Sequence, residues 1–272
     1  MSIARRHRDR ILAAQTIASA PNGGAAIAPA AGLSTAAGAN SASNTPAARA
    51  AAQIALRLTH DLRRLKEIKA VSLKVEAKRQ MLPEYRDWLI GLVAADAGVG
   101  TGTAAEVAPT VMVWMIDTGY YGDAINLGEF LLRHRVAMPS RYNRDVATVL
   151  VEEIADAALK AQAADAPFDL GVLDSVDGLT IGIDMHDEVR AKLAKAIGAE
   201  SLRALDSAEA TASLRPAIEN TLFHLRRAQG LHDRIGVKDK IKRAEKLLAT
   251  NIAAFPPEAE QAATEQGDAS AA

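Results

Sequence analysis

TVMVWMIDTGYYGDAINLGEFLLRH, residues 110–134, sets two helical patterns on either side of a glycine. Behind Pro109, which suits the first turn of a helix, Val111, Met112, Trp114, Met115 and Ile116 form a run that is apolar on nearly every side. That is the pattern of a helix enclosed by others. Gly119 ends it. Ala124, Leu127, Gly128, Leu131 and Leu132 then fall at i, i+3, i+4, i+7 and i+8, the stripe of a helix packed on one side only. An enclosed helix, a tight turn and a one-sided helix predict a helical hairpin and an all-α fold.

Toward the C-terminus the same idea recurs. Helices are predicted over 146–164, 187–197, 201–210, 216–229 and 237–249, the last two with stripes Ile218, Leu222, Leu225 and Val237, Ile241, Ala244, Leu248. The acidic stretch 167–184 is read as a connection with a short irregular element. The alternation of helices is weakly tetratricopeptide-like, although no fixed period recurs.

Toward the N-terminus, Gly98, Gly100 and Gly102 mark a loop, and a helix is predicted over 84–95 behind Pro83. From Ala47 to about Gln80 the pattern is that of one long helix. Ile54, Leu58, Leu62, Leu65, Ile68, Ser72 and Val75 recur on average every 3.5 residues, the period of a coiled-coil seam. A seam that narrow calls for a partner helix. Ile54, Leu58, Leu62, Leu65, Ile68 and Val75 are therefore the self-association candidates, with burial against the chain's own body as the alternative.

Composition agrees with this reading. Aromatics make up only 4% of the 272 residues, so a core must rest on Leu, Ile, Val and Ala, and the mix favours helices because Ala, Leu, Arg and Lys lose little freedom in one. With no cysteine, disulfides, thiolate metal sites and a cysteine nucleophile are excluded. Neither the polar start of the chain nor the Ala-rich stretch after it forms an apolar run of membrane-spanning length, so a cytoplasmic protein is expected, neither secreted nor membrane-bound.

The net charge of −1 conceals a sorting of charge along the chain. Through Arg86 there are fourteen basic and five acidic side chains, whereas 145–209 is acidic. A basic front end fits a polyanion. The candidate DNA contacts are Arg5, Arg6, Arg8 and Arg10 in an N-terminal arm, and Arg57, Arg63, Arg64, Lys66, Lys69, Lys74, Lys78 and Arg79 off the apolar seam. Such cations meet phosphate and fix register without reading bases.

The resulting organisation is a basic arm at 1–20, a flexible linker at 21–46 and a basic helical region for DNA binding and self-association at 47–97. A body of antiparallel helical hairpins follows at 104–250, then a disordered acidic tail at 251–272. Linker and tail are rich in small and polar residues, too poor in large apolar side chains to order themselves.

Three segments together resemble the small-subunit family of phage terminases, also called the terminase endonuclease subunit, of temperate contractile-tailed phages. They are KRQMLPEYRDW (78–88), the 110–134 stretch, and DEVRAKLAK (187–195) with HLRRAQGLHDRIGVKDKIKRAEKLL (224–248). MSIARRHRDR at the start resembles many members too. The likeness spans roughly 47–250. It implies binding of packaging-site, cohesive-end double-stranded DNA, homo-oligomerisation, and delivery of that DNA to a terminase large subunit carrying the ATPase, in the cytoplasm of a bacterial host. The basic tail of some relatives is missing here, so no DNA contact is placed at the C-terminus.

No catalytic residue and no cofactor is assigned. Asp117-Thr118-Gly119 resembles an aspartic-protease signature but lies between helices, where Asp and Gly have turn duties. GVGTGT at 98–103 lacks the lysine of a phosphate loop. Asp184, His186, Asp187 and Glu188, and separately Asp117, Asp123 and Glu129, are the nearest approach to a metal site, and each reads more simply as helix-start or solvent-facing acids. Two alternatives stay open: a magnesium-dependent endonuclease that cuts the packaging site itself, and a helical-repeat scaffold that binds only protein.

Overall fold

The computed structural model describes residues 46–100 and 102–256. The expected arm, with Arg5, Arg6, Arg8 and Arg10, the expected linker but for Pro46, and most of the expected tail lie outside the described residues. Within them there are ten α-helices and no strand. They are α1 (Pro46–Glu67), α2 (Val71–Met81), α3 (Pro83–Ala95), α4 (Val107–Asp117), α5 (Tyr121–Arg133), α6 (Val146–Ala163), α7 (Leu170–Thr180), α8 (Asp187–Asp206), α9 (Arg215–Leu231) and α10 (Lys238–Ala254). Short 3-10 turns precede α4 and α9. The chain divides into two compact units, up to Leu150 and from Val151, with the division inside α6.

In the first unit α4 is the enclosed helix: Val107, Ala108, Val111, Met112, Val113, Trp114 and Ile116 are all buried. Thr118 caps its end, donating from its hydroxyl to Trp114 O at 2.7 Å, and Gly119 takes φ +85° so that the chain can turn back into α5. Ala124, Leu127, Gly128, Phe130 and Leu131 then face inward. Tyr85 of α3 stands edge-on to Trp114, ring centroids 5.7 Å apart, and Trp88 is buried beside it in sequence.

One long helix over 47–80 does not form. It is broken at Ile68–Ala70, where Ala70 is extended. A straight continuation would carry the second half away from the core. The break returns α2 so that it packs on α4 and buries Ala77 and Met81.

In the second unit α8 packs along α9, and α9 along α10. Leu202, Leu222, Leu225, Val237 and Ala244 form its core, with Ile235, Ile241, Leu247 and Leu248 against it. Two sequence expectations are corrected here. The predicted pair of helices at 187–197 and 201–210 is a single helix, α8, that runs through Gly198. Gly198 does not interrupt it, because the glycine serves close packing against α9. The stretch 167–184 holds a regular helix, α7, whose start is capped by Asp169 accepting from Gly171 N at 2.8 Å, and whose Leu173, Val176 and Thr180 are buried on one face.

Arg190, 8% exposed, closes the other end of α7. It donates to Thr180 Oγ1 at 2.9 Å, Thr180 O at 2.8 Å and Ile183 O at 3.0 Å, satisfying carbonyls that the helix end leaves open. Asp177 balances its charge at 3.7 Å and also faces Arg227 at 3.4 Å. His224 is buried nearby, and its Nδ1 has no hydrogen-bond partner among the described residues.

Candidate nucleic-acid interface

The basic side chains of the first unit sort into two groups by what they touch. Arg57, half-buried on α1, is spent on the fold. Its Nη1 donates to Glu84 Oε2 at 2.6 Å and to Glu84 O at 3.1 Å, tying α1 to the start of α3. Lys78 on α2 pairs with Asp117 at the end of α4, and both side chains are mostly covered. Arg79 pairs with Glu76 at 2.9 Å and lies 3.5 Å from Thr118 O. Lys74 is half-buried and makes no ion pair among the described residues.

The second group is free. Arg63, Arg64, Lys66 and Lys69 are exposed, and none forms an ion pair among the described residues. They fall in the last turns of α1 and the bend that follows, within seven positions of one another. α1 places them outward because its apolar side faces in: Ile54, Leu58 and Leu65 are 7%, 1% and 7% exposed. A helix C-terminus accommodates cations, since its carbonyls carry partial negative charge. Four exposed cations on one short segment still leave unneutralised charge for an anion. Glu67 is the single carboxylate among them.

The same burial bears on the self-association seam. Ile54, Leu58 and Leu65 are covered by the chain itself, and Leu62, Ile68 and Val75 are half-buried. What α1 and α2 leave exposed is different apolar surface, Leu56, Val71 and Leu73, that the seam pattern does not include.

The acidic candidates are dispersed. Asp117 is held by Lys78, while Asp123 and Glu129 are exposed on α5. Asp184, His186, Asp187 and Glu188 are exposed at the head of α8, with Asp187 and Glu188 in its first turn, where the helix dipole favours them. Among the described residues no group of three or more His, Asp or Glu side chains is arranged to hold a metal ion. No helix there is long and apolar enough to cross a membrane.

Residues 55–188 match the family model of the phage small terminase subunit. The terminase endonuclease subunit of Escherichia phage P2 is 35% identical over 196 residues, which covers 72% of this chain and 73% of that relative. No solved structure matches the chain.

Proposed function

This chain belongs to the phage small terminase subunit family, and from that premise we propose that it binds double-stranded packaging-site DNA and delivers it to the terminase large subunit in the host cytoplasm. The observation that supports the reading is the set Arg63, Arg64, Lys66 and Lys69, four exposed cations that form no ion pair among the described residues, at the end of a helix whose other face is buried in the core. They act as phosphate contacts that set the position of the duplex and carry no base readout. Arg57 and Lys78 hold the surface in place through Glu84 and Asp117, while Arg79 pairs with Glu76 inside α2. Copies of the chain assemble as a homo-oligomer, for which the exposed Leu56, Val71 and Leu73 are the apolar surface nearest the DNA contacts in sequence. The chain itself performs no covalent step and carries no cofactor.

The test is affinity of the purified chain for a cohesive-end duplex across a salt series. Four phosphate contacts predict a log–log slope of about −4 or steeper. A slope near zero contradicts the reading. Because the phage P2 relative is named an endonuclease subunit, the same duplex is incubated with magnesium in the absence of large subunit. The reading predicts that it stays intact, and strand cleavage would transfer the assignment to a nuclease.

A further inference from the structure

The second unit is acidic over most of its length, yet its last helix is not. α10 turns Ala244, Asn251 and, partly, Ile241, Leu247 and Leu248 inward. On the opposite face Lys238, Lys242 and Lys246 follow one another at i, i+4 and i+8, all exposed, and Arg234 is exposed in the turn just before the helix. The stripe spans about 12 Å at the rise of an α-helix. None of these four side chains forms an ion pair among the described residues.

Three local costs accompany this arrangement, and an anion relieves each of them. Like charges at i, i+4 weaken a helix. Lys238 and Lys240 lie in the first turn, where the helix dipole disfavours cations, and the N-terminus has no side-chain cap. Lys195 of α8 is crowded against the same end, donating to Ile235 O at 2.7 Å, and its pKa is lowered first by burial and then by Lys240. The carboxylates nearby are few. Glu245 is taken by Arg226, and Asp206 by Arg243, which leaves Asp233 and Asp239 beside the stripe.

We propose that the outer face of α10, Lys238, Lys242 and Lys246 with Arg234, is a second surface for the phosphate backbone of duplex DNA, separate from the α1 cluster. This rests on the reading that the chain binds duplex DNA. The chemistry favours nucleic acid over an acidic protein because the stripe carries no large apolar side chain. Protein interfaces centre on aromatic and apolar groups, whereas DNA interfaces are polar and strongly positive.

The experiment uses the full chain and a duplex of mixed sequence, followed by fluorescence anisotropy across a salt series. Replacing all three lysines, K238Q/K242Q/K246Q, is expected to make the slope shallower by about 2 to 3, since each lost phosphate contact removes about 0.9. K238R/K242R/K246R keeps the charge and is expected to keep the wild-type slope. Far-UV circular dichroism checks that the helices of both variants persist. A glutamine variant with the wild-type slope overturns the α10 surface and leaves the DNA-binding reading intact, including the case in which that variant loses a protein partner instead. Wild-type chain without salt-dependent binding overturns the reading itself and this inference with it.

Discussion

Gly198, in the middle of α8, faces Leu225 of α9 so closely that a Cβ at position 198 would stand 2.7 Å from both Cγ and Cδ2 of Leu225 and 3.2 Å from its amide nitrogen. The two helices approach as they do because that side chain is missing. Gly198→Val is expected to destabilise the second unit by about 2 kcal/mol or more through overpacking of a full core. In a Leu225→Ala background the same change should cost less, since the truncated side chain makes room. Equal costs in the two backgrounds, measured by chemical denaturation, would show that the contact does not limit the approach.

The division of the basic side chains into structural and free groups makes opposite predictions for two variants. Arg57→Ala loses a half-exposed ion pair and a backbone hydrogen bond, so it should lower stability by about 1 kcal/mol and leave the salt slope of DNA binding unchanged. R63Q/R64Q/K66Q/K69Q should leave the melting temperature nearly unchanged and reduce the slope by about 3 to 4. The reverse pattern would mean that the ion pairs were assigned to the wrong role.

Tyr85 fixes α3 against α1. Its ring is fully buried, and its hydroxyl donates to Asp61 Oδ2 at 2.7 Å. Burial, reinforced by Asp61, pushes the phenol far above its ordinary value, so it remains a donor at every pH of interest. Tyr85→Phe is expected to cost about 1.5 to 3 kcal/mol, the worth of a hydrogen bond to a charged group. A change within error of zero in a denaturation midpoint would show that water replaces the phenol at Asp61.

His224 gives the second unit a pH dependence. Burial, the largest influence, lowers its pKa; Asp177 acts against that, Arg227 with it, and Asp174 against it. The unfolded chain therefore takes up a proton at a pH where the folded chain does not. Stability falls as pH drops through the ordinary histidine value of about 6.5, and the loss is complete below the folded-state value. His224→Gln should narrow the difference in melting temperature between about pH 7.5 and about pH 5.5. An undiminished difference would place the titrating group elsewhere.

Local periodicity made much of this fold legible in advance. The enclosed α4, the turn at Gly119 and the stripe of α5 follow from spacing alone, and the residues the spacing names there are buried except Met115 and Leu132, which are half-covered. Two of the exceptions share a cause, which is that a distant partner decided the local outcome. The seam period runs unbroken across 68–70, yet the chain bends there so that Ala77 and Met81 reach α4. Gly198 reads as a helix break unless Leu225 is known to lie against it. Gly171 and Gly178 disguise α7 as a connection, although Leu173, Val176 and Thr180 share a face.

For the interface, the sign of the charge was visible and its availability was not. Arg57 finds Glu84 at 27 positions' distance and Lys78 finds Asp117 at 39, separations that leave no trace in a sequence pattern. The stripe Lys238, Lys242, Lys246 is visible as spacing, but only the burial of Ala244 and Asn251 shows which way it points.

Lysine acylation footprinting of the full chain, with and without bound duplex, tests the central claim residue by residue. DNA bound through the free cations should protect Lys66 and Lys69, while Lys192, held by Glu152 and Asp156 in the second unit, keeps its reactivity unchanged. Bound duplex that leaves Lys66 and Lys69 as reactive as in the free chain would contradict the account.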